Sequence, residues 1–471
     1  MKIAFLHYHL RTGGVTTVLR HQIEALREDA DPLIITGDTP PKDWPCRAVC
    51  VPGVGYSMNG DRSMRADQIA DQILKSIAHH FGSACDILHI HNPLLAKNHL
   101  FLDIIHCLQQ SGATLLLQVH DFAEDGRPAA CYPDVPYPAD CHFGVINRRD
   151  YRYLLRAGLL PEGVHYLPNC VVPFDTDAAP RPEAPYILYP VRAIRRKNIG
   201  EALLLSLFCR HGQLVYITQP PNSPVDFPSY LDWKVFSQTH GLPMRFDVGL
   251  RRRFKPLMAA ADGVLTTSIT EGFGFAFLES WTAGKPLQGR LLPDVCQDFI
   301  DQGIDFGNLY TAIQIPQGWI GKQFLIDRFA ACLAANQSAY GRLWPVGWAT
   351  SCLQSLHQNE SIDFGLLDEP FQKRIIGMVQ KNPALRGELL AMNPDLAGRS
   401  HTTAANGRIL LNRERVLALY HPGRYRARLI ETYRRVMQKP VRHALDRKRL
   451  LAQFLQKDRF SLLKWDAYHG R

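Results

Sequence analysis

Apolar runs of five to seven residues alternate along the chain with helix-length segments whose apolar positions recur every three or four residues. Residues 2–8 form the first run, followed by Arg11-Thr12-Gly13-Gly14 and then Val15, Val18, Leu19, Ile23 and Leu26 at helical spacing. That order predicts a strand, a glycine turn and a helix. Further runs fall at 32–36, 86–90, 113–119 and 142–146, separated by helical segments such as 65–80 and 98–110. Continuous apolar strands joined by helices predict a parallel sheet covered on both faces. Residues 173–185, PFDTDAAPRPEAP, have no periodicity and read as a linker. A second alternating set then begins at 186–191 and continues through 213–218, 244–248 and 263–267. Beyond Gly289 the pattern becomes mostly helical. Residues 424–439 carry a stripe of Tyr425, Leu429, Ile430, Tyr433 and Val436 with arginines opposite, which predicts a late helix packed on the body.

At 471 residues the chain exceeds one hydrophobic core. The expected organisation is an α/β domain over 1–175, a second over 176–400 and a helical segment over 401–471. A composition with 46% apolar and 21% charged residues excludes a disordered or fibrous chain. No apolar stretch of about 18 residues suggests a membrane span. The first residues lack the small-residue cleavage site of a secretory signal. Eleven cysteines without a C-x-x-C pair read as reduced, structural thiols, so a cytoplasmic setting is expected.

The formal charge of +10 is concentrated late: residues 401–471 hold 17 Lys/Arg against 5 Asp/Glu. Such a tail suits either a solvated helix face or peripheral contact with an anionic membrane at its inner face. No nucleic-acid partner is expected.

Glu271-Gly272-Phe273-Gly274-Phe275-Ala276-Phe277-Leu278-Glu279 directly follows the run at 263–267 and carries the strongest chemical signal. Two carboxylates eight positions apart flank glycines that expose backbone amides before a helix. A helix N-terminus with unpaired N–H groups suits a diphosphate. Glu279, expected two turns into that helix, suits ribose hydroxyls. The structural alternative is that both glutamates simply cap and solvate an ordinary helix.

With the early Gly13-Gly14 loop and the basic run that opens the second domain, this element resembles the retaining GT-B glycosyltransferases of family 4, related to glycogen and sucrose-phosphate synthases. The resemblance spans residues 1 to about 290 and implies two facing Rossmann-like domains with a C-terminal helical extension. It implies an acceptor held by the first domain and a donor such as a UDP-, GDP- or ADP-hexose held by the second, with no cofactor and no metal. Gly13 and Gly14 match the loop against the donor diphosphate. Arg192 and Lys197 match the phosphate-gripping pair, with Arg195 and Arg196 close enough to be confused with them. His120 matches a histidine facing the transferred sugar, and Asp121 is placed to orient it. Glu271 is expected to position sugar hydroxyls, and Gly272, Phe273, Gly274 and Glu279 to bind the donor. His91, Asn92, Asp121 and Asn147 are acceptor-side candidates.

As zinc ligands, His89 and His91 lack a third partner in the sequence. After Gly284-Lys285-Pro286 the chain departs from the family pattern, leaving Arg290 as a candidate contact for an anionic group. The implied reaction is metal-independent hexosyl transfer with retention, by front-side departure and attack, to a metabolite, a polysaccharide or a lipid-linked sugar. Alternatives are a nucleotide-sugar epimerase or hydrolase on the same fold, or a non-catalytic nucleotide-sugar or polyanion-binding protein.

Overall fold

A computed structural model describes residues 1–57, 64–132, 135–174, 184–342, 351, 354, 360–396, 403–456 and 459–468. The chain forms two units, Met1–Cys170 with Leu419–Leu455, and Val171–Ala418 with Gln456–Arg471. The segment 401–471, expected as one appendage, is thus divided between them.

The first unit is built on a seven-stranded parallel sheet of β1 (Lys2–His7), β2 (Asp31–Thr36), β3 (Arg47–Cys50), β4 (Ile87–His91), β5 (Leu115–Val119), β6 (His142–Val145) and β7 (Val164–Tyr166). Their order is 3-2-1-4-5-6-7. Among its helices are α1 (Gly14–Ala25), α2 (Ala66–Phe81), α3 (Phe101–Gln110) and α4 (Arg148–Arg156). Ile3 to Leu6 are fully buried, as a run without polar alternation requires. The helix Pro422–Gln438 packs on this unit: Tyr425, Leu429, Tyr433 and Val436 share a core with Leu19 and Ile23 of α1, Leu26 just past its end, and Ile3 and Phe5 of β1. Each such buried side chain contributes roughly 1.5–3 kcal/mol.

The second unit has a five-stranded parallel sheet of β8 (Tyr186–Arg192), β9 (Leu214–Gln219), β10 (Met244–Arg245), β11 (Gly263–Thr266) and β12 (Leu287–Gly289), in the order 10-9-8-11-12. Helices α5 (Ile199–Ser206), α6 (Phe227–Thr239), α7 (Val248–Arg251), α8 (Phe254–Ala260) and α9 (Ala276–Thr282) intervene. The strand expected over 244–248 stops at Arg245, because Asp247 adopts a left-handed φ of 63° and starts α7. Later, β13 (Gln314–Pro316) and β14 (Ser361–Asp363) form an antiparallel pair. Both large sheets reverse strand order beside their first strand, giving each a switch point.

Part of the tail's charge has local partners. Arg426 pairs with Asp29 and Glu28 (3.0 and 2.8 Å), Arg447 lies 3.6 Å from Glu124, and Arg408 lies 2.8 Å from Asp305. The uneven charge along the sequence is therefore in part complementarity within the fold. No helix among the described residues is long and apolar enough to cross a membrane.

Candidate functional site

In open parallel sheets, ligands collect outside the carboxyl ends of strands at the switch point. In the second unit that point lies between β8 and β11. Lys197, from the turn after β8, and Glu271, from the loop after β11, meet there in an ion pair; their side chains are 17% and 16% exposed, open enough to exchange partners. The two loops are tied together beneath them. The Thr267 hydroxyl lies 2.7 Å from the Tyr189 hydroxyl and 3.0 Å from the carbonyls of Lys197 and Asn198, and the Ile269 amide donates to the Arg196 carbonyl (3.0 Å).

The other basic candidates separate by partner. Arg192 ends β8 and donates to Gln219 Oε1 at the end of β9 (3.2 Å). Gln219 was not singled out from the sequence, where nothing but its place at a strand end marks it. Arg195 makes a fork with Glu369 (2.6 and 2.8 Å), which fixes the turn to the helix Glu369–Lys381 and removes Arg195 from candidacy. Arg290 is also structural. Only 4% exposed, it donates to Glu201 (2.9 Å), both Asp363 oxygens (2.7 and 2.8 Å) and the Thr311 carbonyl (2.9 Å), with no donor left for an outside anion.

The 271–279 element differs in detail from expectation. Helix α9 begins only at Ala276, so Glu279 sits in its first turn. Gly274 has φ +81°, and a Cβ there would meet the Phe277 ring at 2.7 Å, so glycine is required. Phe273 is buried against Phe275 and Phe299, which leaves its backbone, not its ring, for a ligand. Burial alone raises the Glu279 carboxyl to about 7; no cation among the described residues offsets it.

In the first unit the switch point lies between β1 and β4. Gly13 and Gly14 open α1 after β1. Neither glycine is demanded by the chain itself: Gly13 is extended, and a Cβ on Gly14 would meet nothing within 4 Å. The bare backbone there leaves room for an external group.

Across the sheet His91 Nδ1 lies 2.9 Å from His120 Nε2, with the rings stacked 5.1 Å apart. His91 thus holds His120 by direct contact, while Asp121 acts on His120 through its charge and accepts from Arg127 (2.6 Å). The Asn92 side-chain oxygen accepts from the backbone amides of His120 and Asp121 (2.8 and 3.1 Å), holding the two loops together. The Asn147 oxygen caps α4 by accepting from the Asp150 amide (2.7 Å). Asn92 and Asn147 thus act as clip and cap.

Two further histidines join this cluster. His7 and His89 share the face of His91, with His89 4.5 Å from the His91 ring and its Nδ1 3.0 Å from the Tyr433 hydroxyl. Desolvation lowers His7 and His89 to about 3 and His120 to about 4, and pushes His91 well down, so all four imidazoles are neutral near pH 7. The signal was present as alternation in one strand, because His89-x-His91 puts two imidazoles on one face of β4, while His7 ends the adjacent β1. Among the described residues no group of three or more His, Cys, Asp or Glu is placed to hold a metal ion.

These two Rossmann-like units with their helices have the GT-B fold. Sucrose-phosphate synthase from Thermosynechococcus elongatus superposes with a TM-score of 0.54 at 16% identity, covering 92% of this chain and 98% of that one. An E. coli trehalose-6-phosphate structure bound with UDP-2-fluoro glucose gives 0.51 at 12% identity, covering 94% and 100%. By sequence, the chain is 26% identical to mannosylglucosyl-3-phosphoglycerate synthase of Petrotoga mobilis, over 62% of this chain. It spans 65% of that relative's length. No protein-family model matches.

Proposed function

We propose that this chain is a glycosyltransferase that moves a hexose from a nucleotide-sugar to a small polar or phosphorylated sugar acceptor. The observation that carries the reading is the Lys197–Glu271 pair at the switch point of the second unit, with Arg192 at the neighbouring strand end and an uncompensated Glu279 just beyond. Cations beside a desolvated carboxylate suit a ligand with a diphosphate at one end and vicinal hydroxyls at the other. Support comes from the fold shared with a structure bound with UDP-2-fluoro glucose, and from a relative named as a mannosylglucosyl-3-phosphoglycerate synthase.

In this reading Arg192 and Lys197 take the negative charge that develops on the β-phosphate as its bond to the anomeric carbon breaks. In the first unit the bare amides of Gly13 and Gly14 offer donors to an anionic group. Lys197 exchanges Glu271 for phosphate, which frees the Glu271 carboxylate to accept from sugar hydroxyls. The acceptor hydroxyl attacks the face the phosphate leaves and passes its proton to the departing phosphate oxygen, so configuration is retained and no metal step is needed. In the first unit neutral His120, buttressed by His91, offers a hydrogen bond to a sugar hydroxyl. We place the protein in the cytoplasm, where its ten described cysteines, none in a disulfide, stay reduced.

A thermal-shift panel of UDP-, GDP- and ADP-hexoses tests this reading. One donor should raise the melting temperature by mass action, and Arg192→Ala should abolish the shift. No stabilisation by any donor, or an unchanged shift in the variant, rejects it.

A further inference from the structure

The first unit carries a second cationic site at the β7 edge of its sheet, two strands from β5. A recess of about 520 Å³ is bounded by α4, β7 and the helix Pro422–Gln438. Arg148, Tyr151 and Arg152 occupy one face of α4, at i, i+3 and i+4. Arg428 and Arg435 reach it from the late helix, and Tyr166 from the end of β7.

Four guanidinium groups therefore converge against one lining carboxylate, Glu431, which is already engaged by Arg435. Arg148 lies over the Tyr166 ring, 5.4 Å from its centre. Arg152 and Arg428 have no carboxylate or carbonyl partner among the described residues. Other tail arginines, such as Arg426 and Arg447, meet acids on the body, whereas the charge of Arg152 and Arg428 at this recess is left unmatched. At the recess His165 sits 2.9 Å from His142, and desolvation, His142 and Arg435 together hold it neutral, so it adds no charge.

We propose that this recess binds a compact small molecule with two or more phosphate or carboxylate groups. Planar guanidinium forks match such oxyanions two bonds at a time. The volume falls within the range of small-molecule sites, and the two tyrosines offer faces to a ring or sugar. No exposed large apolar side chain lines it, which favours a soluble anion over a lipid surface.

Sodium tripolyphosphate, titrated calorimetrically into the full-length chain, is the probe. Arg192→Ala with Lys197→Ala provides the background, so that the proposed donor residues do not supply the signal. In that background binding should persist and weaken with salt. Adding Arg152→Gln with Arg428→Gln should lower affinity at least tenfold while leaving the ligand-free melting temperature unchanged, since neither side chain has a partner to lose. Arg428→Lys, which keeps charge without the fork, should fall between. Undiminished affinity in the fourfold variant overturns the proposal. So does wild-type co-sedimentation with phosphatidylglycerol vesicles, lost in Arg152→Gln/Arg428→Gln, when tripolyphosphate fails to bind.

Discussion

The two sheets share one arrangement around their switch points, 2-1-4-5 in the first and 9-8-11-12 in the second, yet their carboxyl ends carry opposite chemistry. The first ends in His7, His91 and His120, stripped of charge by burial. The second ends in Arg192, Lys197, Glu271 and Glu279. An imidazole sheds its proton at modest cost, so a desolvated strand end can hold several side by side. A guanidinium cannot, and persists only where a carboxylate or ligand offsets it. Topology therefore sets where each sheet can hold a ligand, and ionisation sets the kind of group each end suits: anionic groups at the charged end, uncharged hydroxyls at the neutral one.

The largest effect should separate a cation that builds the second unit from one that serves its ligand. Arg290→Ala strands fully buried Glu201 together with Asp363, and should cost about 3–5 kcal/mol in denaturant titrations. A cost below about 1 kcal/mol would return Arg290 to the list of ligand contacts. Lys197→Ala, in a partly open pair, should leave stability within about 1 kcal/mol yet lower kcat roughly 10²–10³-fold. Equal losses of stability in both variants would erase the distinction.

A smaller effect probes the neutral end. His120 has a folded pKa of about 4 against 6.5 unfolded, so the unfolded chain binds the extra proton between those values. Its contribution to stability is present above pH 6.5 and lost as pH falls towards 4, about 1–2 kcal/mol between pH 7 and pH 5. Hydrogen exchange in β4 and β5 should accelerate over that range, and less so in His120→Ala. With its charge absent at neutral pH, His120→Ala should lower kcat/KM about tenfold, the worth of one neutral hydrogen bond. An activity limb near pH 6.5 that vanishes in this variant would show a charged imidazole instead.

Much of this was legible because parallel strands buried on both faces leave unbroken apolar runs. Residues 2–8 and 186–191 correspond to β1 and β8, and the stripe of Tyr425, Leu429 and Tyr433 marked the late helix. Strands β3, β7 and β12, RAVC, VHY and LQG, are short and interrupted by polar residues, so they leave no apolar run to read. The meeting of Lys197 with Glu271 followed from both lying at ends of neighbouring strands. What could not be read was the use of each polar group. Asn92, Asn147, Arg195 and Arg290 look like ligand contacts in sequence because loops at strand ends need the same residue types for clips, caps and buried ion pairs as for binding.

Glu279 gives the smallest and most selective test of the charged end. Burial lifts its carboxyl to about 7 from an ordinary 4.5, so the folded chain keeps a proton that the unfolded chain releases in between. That contribution is present below pH 4.5 and disappears as pH rises through 7, opposite in sign to the histidine end. Glu279→Gln removes the ionisation and should melt higher than the wild type at pH 8, by about 1 kcal/mol after allowance for partial exposure, with the curves converging near pH 5. Bound donor reverses the comparison: ribose hydroxyls stabilise the carboxylate, so the wild type should gain more from the donor at pH 8 than the glutamine variant, by about tenfold in affinity. Higher stability without that loss of affinity would make Glu279 a strained core residue and leave the donor hydroxyls without their proposed acceptor.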